Sequence, residues 1–231
     1  MMNDIFATSA TIGVVISLLA YGIGTFLKNK IRKSFVNPLL ISIILVIVFL
    51  LVFDVEYDNY NKSAKYISYL LTPATVCLAV PLYRQIELLK KNLWAILAGI
   101  ISGVCISLGS VLVLSLVFRL SHAEYVTLLP KSITTAIGMV VADELGGYAA
   151  ITATIIAMTG VIGNMIAESV CKFFRIKSPI ARGLAIGTSS HALGTSKAIE
   201  MGPIEGAMSS LSIVIAGLFT VILAPIFAMF Y

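Results

Sequence analysis

Residues Leu39 to Phe53 have the sequence LLISIILVIVFLLVF, a run without a charged side chain. Apolar residues fill successive positions of this run and do not alternate with polar ones. Strands of a membrane barrel alternate over segments of about ten residues, whereas a helix in lipid is apolar on every side. The run therefore favours a membrane-spanning helix over a barrel strand.

The rest of the chain has a similar character, because 59% of its 231 residues are hydrophobic and only 12% are charged. A soluble domain of this length needs more charge to cover its surface. A helix crosses the hydrocarbon core with about 20 mostly apolar residues. We therefore predict an all-α polytopic membrane protein with about six spanning helices. Their predicted ranges are 6–27, 36–53, 66–83, 92–118, 149–170 and 207–230.

Two further stretches, 125–147 and 183–206, are mostly apolar but contain helix-breaking and polar residues. The first holds Pro130 and Lys131 followed by hydroxyl side chains, and the second holds five glycines with Ser, Thr and His between them. Non-helical backbone at membrane depth is tolerated only where protein or water satisfies its polar groups. These broken segments therefore predict a polar cavity.

The distribution of basic residues favours one membrane topology. If the segment 125–147 dips into the membrane and returns, the loops at 28–33, 84–91 and 172–182 share one side and carry eleven Lys and Arg. The opposite loops carry three: Lys62, Lys65 and Arg119. Because cytoplasmic loops are enriched in basic residues, we predict an outside N-terminus and two re-entrant segments. The alternative, in which the broken segments cross fully, stays open.

This topology contains an inverted symmetry. Helix 92–118 is followed by a broken segment that enters from outside, and helix 149–170 by one that enters from inside. Paired broken segments of opposite orientation are typical of the binding site of a secondary transporter. We therefore divide the chain into a scaffold of residues 1–91 and a transport unit of residues 92–231.

The broken segments offer groups that bind anions. Half-helix N-termini present unpaired N–H groups, hydroxyls add donors, and Lys131 and His191 add positive charge. This chemistry suits a small carboxylate better than a metal ion or another cation. The candidate substrate-binding residues are Lys131, Ser132, Thr134, Thr135, Ser189, Ser190, His191, Gly194 and Thr195.

Several of these residues also have structural explanations. Lys131 can extend to the membrane interface, and His191 can be a hydrogen-bonded core residue. Ionisable groups inside a membrane are functional by default, and imidazole exchanges protons near neutral pH, so His191 is a candidate proton carrier. Asn164 and Glu168 lie one turn apart on a predicted helix and are further candidates for proton coupling. Glu168 lies either at such a site or at the cytoplasmic edge.

Other classes of function have little support. The net charge of +5 comes from basic residues in short loops, which is a pattern of membrane topology and not of nucleic-acid binding. Cys77, Cys105 and Cys171 lack the spacing of metal ligands. The sequence contains no evident nucleophilic triad or phosphate loop, so we expect neither enzymatic activity nor a cofactor.

Several motifs of this chain resemble the LrgB/CidB family, which includes the YohK-type proteins. The matching pieces are Pro73-Ala74-Thr75-Val76, Pro81-Leu82-Tyr83, Leu129 to Ile137, Glu144-Leu145-Gly146-Gly147, Ile180 to Thr188, and Ser190-His191-Ala192-Leu193-Gly194-Thr195. The last two are the most specific, and the resemblance covers nearly the whole chain.

This resemblance implies a multi-pass protein of the bacterial cytoplasmic (inner) membrane, usually paired with a small LrgA/CidA-like membrane protein. It implies either holin/antiholin-like modulation of murein hydrolase export and autolysis, or transport of short monocarboxylates such as pyruvate, glycolate and glycerate. Two inverted broken segments suit a carrier, since a holin-like pore has no need of them. We therefore expect a dimeric monocarboxylate carrier with protons as the candidate coupling ion, and cell lysis regulation is the alternative.

Overall fold

The computed structural model describes Phe6, Ser9, 11–31 and 37–231, and its regular elements are all α-helices. The described residues form two compact units, one ending at Cys77 and one comprising Leu78–Tyr231. The functional division predicted between residues 91 and 92 stays a prediction. The helices are α1 Ile12–Ile31, α2 Pro38–Val52, α3 Tyr57–Tyr69, α4 Leu71–Cys77, α5 Ala79–Arg84, α6 Ile86–Lys91, α7 Leu93–Phe118, α8 His122–Leu128, α9 Thr135–Glu144, α10 Ala149–Phe173, α11 Pro179–Met201 and α12 Pro203–Ala228.

Four of these helices, α1, α7, α10 and α12, are long and apolar enough to cross a membrane. The apolar α2 has 15 residues, slightly fewer than a full crossing needs. Asn37 caps α2 by accepting hydrogen bonds from the backbone N–H groups of Leu39 and Leu40. The chain is thus an all-α polytopic membrane protein, as predicted.

The third predicted helix, 66–83, is divided among three shorter helices. A proline ring clashes with the carbonyl four residues earlier and cannot donate to it. Pro73 lies four residues after Tyr69, the last residue of α3, and Pro81 lies four residues after Cys77, the last residue of α4. The prediction of one continuous helix was wrong because it gave these two prolines too little weight.

In the first unit, α3 occupies a stretch predicted to be mostly a polar loop. Its polar residues form a helix that packs on α1, where Gly13 N–H donates to Ser63 Oγ at 3.1 Å. The hydroxyls of Ser17 and Tyr60 lie 2.7 Å apart at the same contact. Arg32 and Lys33 of the predicted basic loop lie outside the described residues.

In the second unit, α7 packs against α12 through one apolar face. The side chains buried on α7 recur every three or four positions, as one face of a helix requires. They are Ile96, Ile100, Val104, Leu108 and Val111. Met208 and small residues of α12, including Ala216 and Ala224, lie in the same cluster and allow close packing of the two helices.

The segment from His122 to Gly147 folds back on itself and is called the first hairpin. The backbone N–H of Tyr148 donates to Thr127 Oγ1 at 2.8 Å, and Gly138 lies against Pro130. The tip of this hairpin is the turn between α8 and α9. Ser132 belongs to this tip, and its Oγ lies 3.1 Å from the Oγ of Ser107, near the middle of α7.

The helix α11 is also broken, and we call it the second hairpin. Ser190 and His191 leave the helical conformation, with φ of 41° and ψ of −140° at His191. The break reverses the direction of the chain. The evidence is that Arg182 and Lys197, on either side of the break, line the same cavity of about 270 Å³. In a straight helix these residues would be about 22 Å apart along the axis.

The packing of the second hairpin against α12 confirms the reversal. The contacts are Gly183 with Met208, Gly187 with Ser212, Thr195 with Ser209 and Ile199 with Gly206. The first half of the hairpin therefore runs parallel to α12, and the second half runs antiparallel to it.

The two hairpins enter from opposite ends of the second unit. At the first hairpin, Tyr125 OH donates to the carbonyl of Phe227, near the end of α12. At the second hairpin, Arg182 pairs with Glu205, near the start of α12. Each hairpin thus begins and ends at one end of the long helices. The predicted inverted arrangement of two broken, re-entrant segments is confirmed.

Candidate binding site between the hairpins

Lys131 lies half-buried at the tip of the first hairpin. Its ammonium group donates to Ser107 Oγ at 3.2 Å and to Ser132 Oγ at 3.0 Å. Among the ion pairs of the described residues, none includes Lys131. A charge removed from water without a partner is unfavourable, so an anion at this position would be stabilised.

Two cavities meet at Lys131. One, of about 690 Å³, lies between α7 and the second hairpin, and the other, of about 390 Å³, lies between α10 and the same hairpin. Lys131, Ala185 and Ser189 line both cavities. The tip of the first hairpin and the end of the first half of the second hairpin therefore lie at one place.

The walls of these cavities are mostly apolar, with a few polar groups. Ser107, Ser132 and Thr188 line the larger cavity, and Ser190 lines the smaller one. The hydroxyls of Ser189 and Ser190 lie 3.0 Å apart. Apolar walls with a few placed polar groups are typical of sites for small organic ligands.

His191 does not line either of these two cavities. Its imidazole is buried, and its Nε2 lies 3.0 Å from the carbonyl oxygen of Ile156 on α10. Because a carbonyl only accepts, the hydrogen bond places a proton on Nε2. A non-glycine residue at positive φ costs about 1–3 kcal/mol, and this hydrogen bond helps to hold His191 there. Its geometry supports a role in positioning the hairpin tip.

The remaining predicted residues, Thr134, Thr135, Gly194 and Thr195, lie elsewhere in the hairpins. Thr195 is buried and donates to the carbonyl of His191 at 2.9 Å, and Gly194 packs against Ile186 inside the second hairpin. Thr134 precedes α9 and Thr135 begins it, and neither lines the two cavities. The structure thus brings together Lys131, Ser132, Ser189 and Ser190 from the predicted set, but not these four.

Asn164 and Glu168 attach the second half of the second hairpin to α10. Asn164 Nδ2 donates to the carbonyl of Leu193 at 2.7 Å and to Ser196 Oγ at 2.9 Å. Glu168 pairs with Lys172 at 2.9 Å and with Lys197 at 3.4 Å. Neither residue lines the cavities that meet at Lys131. Their proposed role in proton coupling stays a prediction.

Loss of the Glu168 charge is expected to loosen this attachment. In Glu168→Gln, the thiol of Cys171, which is buried beside the same ion pairs, should react with a maleimide about two to five times faster. The modest factor follows from the roughly 0–1 kcal/mol that partly exposed ion pairs contribute. The labelling rate is measured with Cys77 and Cys105 replaced by serine. The exposed Glu144→Gln serves as the control, and an unchanged rate in Glu168→Gln would contradict the expectation.

Two glycines of α10 receive the tip of the second hairpin. A Cβ atom at Gly160 would lie 2.6 Å from His191 Cε1, and one at Gly163 would overlap Ser190 Oγ. Both positions are near the middle of α10. These glycines are not among the residues predicted from the sequence, although residues three apart lie on one helix face and small residues there let another backbone approach closely.

Ser107 and Thr188 are also absent from the set of site residues predicted from the sequence. Ser107 follows Gly99 and Gly103 at four-residue intervals, so the three residues lie on one helix face. That face lines the larger cavity. The alignment of a serine with two glycines on a long apolar helix was the available signal.

The fold and site together define a polytopic helical membrane protein with two opposed re-entrant hairpins beside mostly apolar cavities that contain a few polar groups. The chain belongs to the LrgB-like family, whose model matches residues 17–230. It is similar to the antiholin-like protein LrgB of Bacillus mycoides (strain KBAB4) and to that of Bacillus cereus (strain B4264). Each is 41% identical over 94% of this chain and 95% of the relative. No solved structure matches the chain significantly.

Proposed function

We propose that this protein is an antiholin-like modulator of murein hydrolase export and autolysis in the bacterial cytoplasmic membrane, with no enzymatic step of its own. The proposal rests on one observation: relatives named antiholin-like protein LrgB are 41% identical over 94% of the chain. Identity at this level over nearly the full length supports a common architecture and a related role.

The geometry favours a second candidate function, carriage of small monocarboxylates of the pyruvate, glycolate and glycerate class. The observation that favours it is Lys131, an ammonium group without an ion-pair partner among the described residues, held between two serines beside two cavities. A pore that only leaks needs no such group. The names of the relatives favour the antiholin-like function over this one, but the two functions are compatible if carboxylate movement controls lysis.

Movement of the hairpins offers a physical route for such a carrier. The tips reach the middle of α7 and α10 from opposite ends, so each can limit access from one side. Alternating access in carriers with inverted segments follows this scheme. In this proposal protons are the coupling ion, with His191 and Glu168 as the residues to test.

The proposed partners are an LrgA/CidA-like membrane protein and a second copy of this chain. A small carrier needs a fixed neighbour against which its hairpins can move. Purification of the tagged chain with and without the co-expressed LrgA-like protein tests both proposals. Recovery of a monomer alone under mild detergent would oppose them.

Uptake of labelled pyruvate and glycolate into proteoliposomes separates the two functions. The carrier predicts saturable uptake of at least one acid and no release of an entrapped dye. Dye leakage that rises with protein concentration would instead support a pore-type role. Absence of uptake, both alone and with the LrgA-like partner, would overturn the carrier and leave the antiholin-like function.

A further inference from the structure

The hydrogen bonds around Lys131 leave donors in excess. An ammonium group carries three protons, and Lys131 uses two of them on Ser107 Oγ and Ser132 Oγ. The two serine oxygens lie 3.1 Å apart, so one hydroxyl can donate to the other while the second keeps a proton for another acceptor. One N–H and one O–H thus remain available at the edge of the larger cavity.

Thr188, on the second hairpin, lines the same cavity and carries a buried hydroxyl. The residue is 6% exposed, and its Oγ1 has no hydrogen-bond partner in the described part of the chain. A Cβ atom added at Gly103 of α7 would lie 2.9 Å from the methyl carbon of Thr188. Buried hydroxyls are nearly always satisfied, but this one lacks an acceptor, which a ligand in the adjoining cavity would supply once the side chain rotates toward it.

We infer that Ser107 and Thr188 complete, with Lys131, a cradle for one small monoanion that has at least two acceptor oxygens. This inference deepens the proposed carrier function and rests on it. The available groups are donors and the one charge is positive, which excludes a cation and matches a carboxylate. The apolar walls accommodate a short carbon chain.

The cradle joins three elements, namely α7, the first hairpin and the second hairpin. Ser107 belongs to α7, Lys131 to the first hairpin and Thr188 to the second. A bound carboxylate would therefore bridge both hairpins. In this arrangement Ser107 is a positioning residue that fixes the Lys131 ammonium group, whereas Thr188 and Lys131 contact the ligand.

The test is to titrate the purified full chain separately with pyruvate, chloride and the neutral ester methyl pyruvate. The thermal unfolding midpoint is measured at each ligand concentration. Wild type should be stabilised by pyruvate and not by the ester or by chloride, since a ligand that binds the folded state raises the midpoint. Ser107→Ala and Thr188→Val should each weaken the apparent affinity for pyruvate about tenfold, because hydrogen bonds to charged groups are strong. The control Ser110→Ala, one turn along α7 and exposed, should bind as wild type does.

The other outcomes of this titration would each overturn a specific part of the proposal. Pyruvate binding that is unchanged in both variants overturns the roles of Ser107 and Thr188. Equal stabilisation by chloride overturns the requirement for two oxygens, and no stabilisation of wild type by pyruvate overturns the cradle. Pyruvate binding without uptake in proteoliposomes would overturn the carrier function while leaving the cradle intact.

Discussion

Gly163→Ala is expected to lower the thermal unfolding midpoint of the protein and to displace the tip of the second hairpin. The added Cβ would overlap Ser190 Oγ and lie 2.5 Å from Ser190 Cβ, and Ser190 is buried at the tip of the second hairpin. Overpacking of this kind costs about 1–3 kcal/mol. The measurement is thermal unfolding in detergent, combined with the pyruvate titration.

Two comparisons make this prediction specific. Gly109→Ala, on α7, meets no atom within 4 Å and should keep or raise the stability, by about 0.5–1 kcal/mol. The double variant Gly163→Ala with Ser190→Gly removes the colliding side chain and should recover most of the lost stability. If Gly163→Ala were as stable as Gly109→Ala, the close contact between α10 and the second hairpin would be refuted.

Lys131→Met is expected to abolish the response to pyruvate without lowering the stability of the protein in its absence. The substitution keeps a long side chain but removes a charge that has no ion-pair partner among the described residues. Replacing a poorly solvated charge by an apolar group is often neutral or stabilising. Thermal unfolding with and without pyruvate measures both effects.

The matched control for this prediction is Lys197→Met. Lys197 is paired with Glu168 at 3.4 Å and with Glu200 at 3.3 Å, so its loss should slightly destabilise the second hairpin and leave the pyruvate response intact. The opposite pattern would place the anion site at the base of the second hairpin. In that pattern the Lys197 variant is stable but does not respond to pyruvate, and the Lys131 variant still responds.

The sequence predicted the hairpins well because their breaks come from local chemistry. Pro130 and the hydroxyls after it, and the glycines around Ser190, mark backbone that cannot continue as one helix. The boundaries of α7 and α10 followed from uninterrupted apolar runs. The division of the third predicted helix was missed because residues 70–83 are mostly apolar, and only Pro73 and Pro81 indicate the breaks.

The site was only partly predictable, because ligand geometry depends on contacts between distant segments. Lys131 and Ser189 were identified as polar residues within broken segments. Ser107 was missed because it lies inside an unbroken helix, where serine is unremarkable. His191 shares the chemistry of a ligand, yet the fold turns its imidazole toward the backbone of Ile156, which no pattern in the sequence indicates.

We expect control of lysis to depend on the proposed anion site at Lys131. The most direct test is the autolysis rate of bacterial cells that lack their own LrgB-like protein and express wild type, Lys131→Met or Ser110→Ala at equal membrane levels, each with the LrgA-like partner. We expect wild type and Ser110→Ala to restore control and Lys131→Met to behave as the empty vector. If Lys131→Met lost pyruvate uptake and still gave full control of autolysis, this expectation would be contradicted.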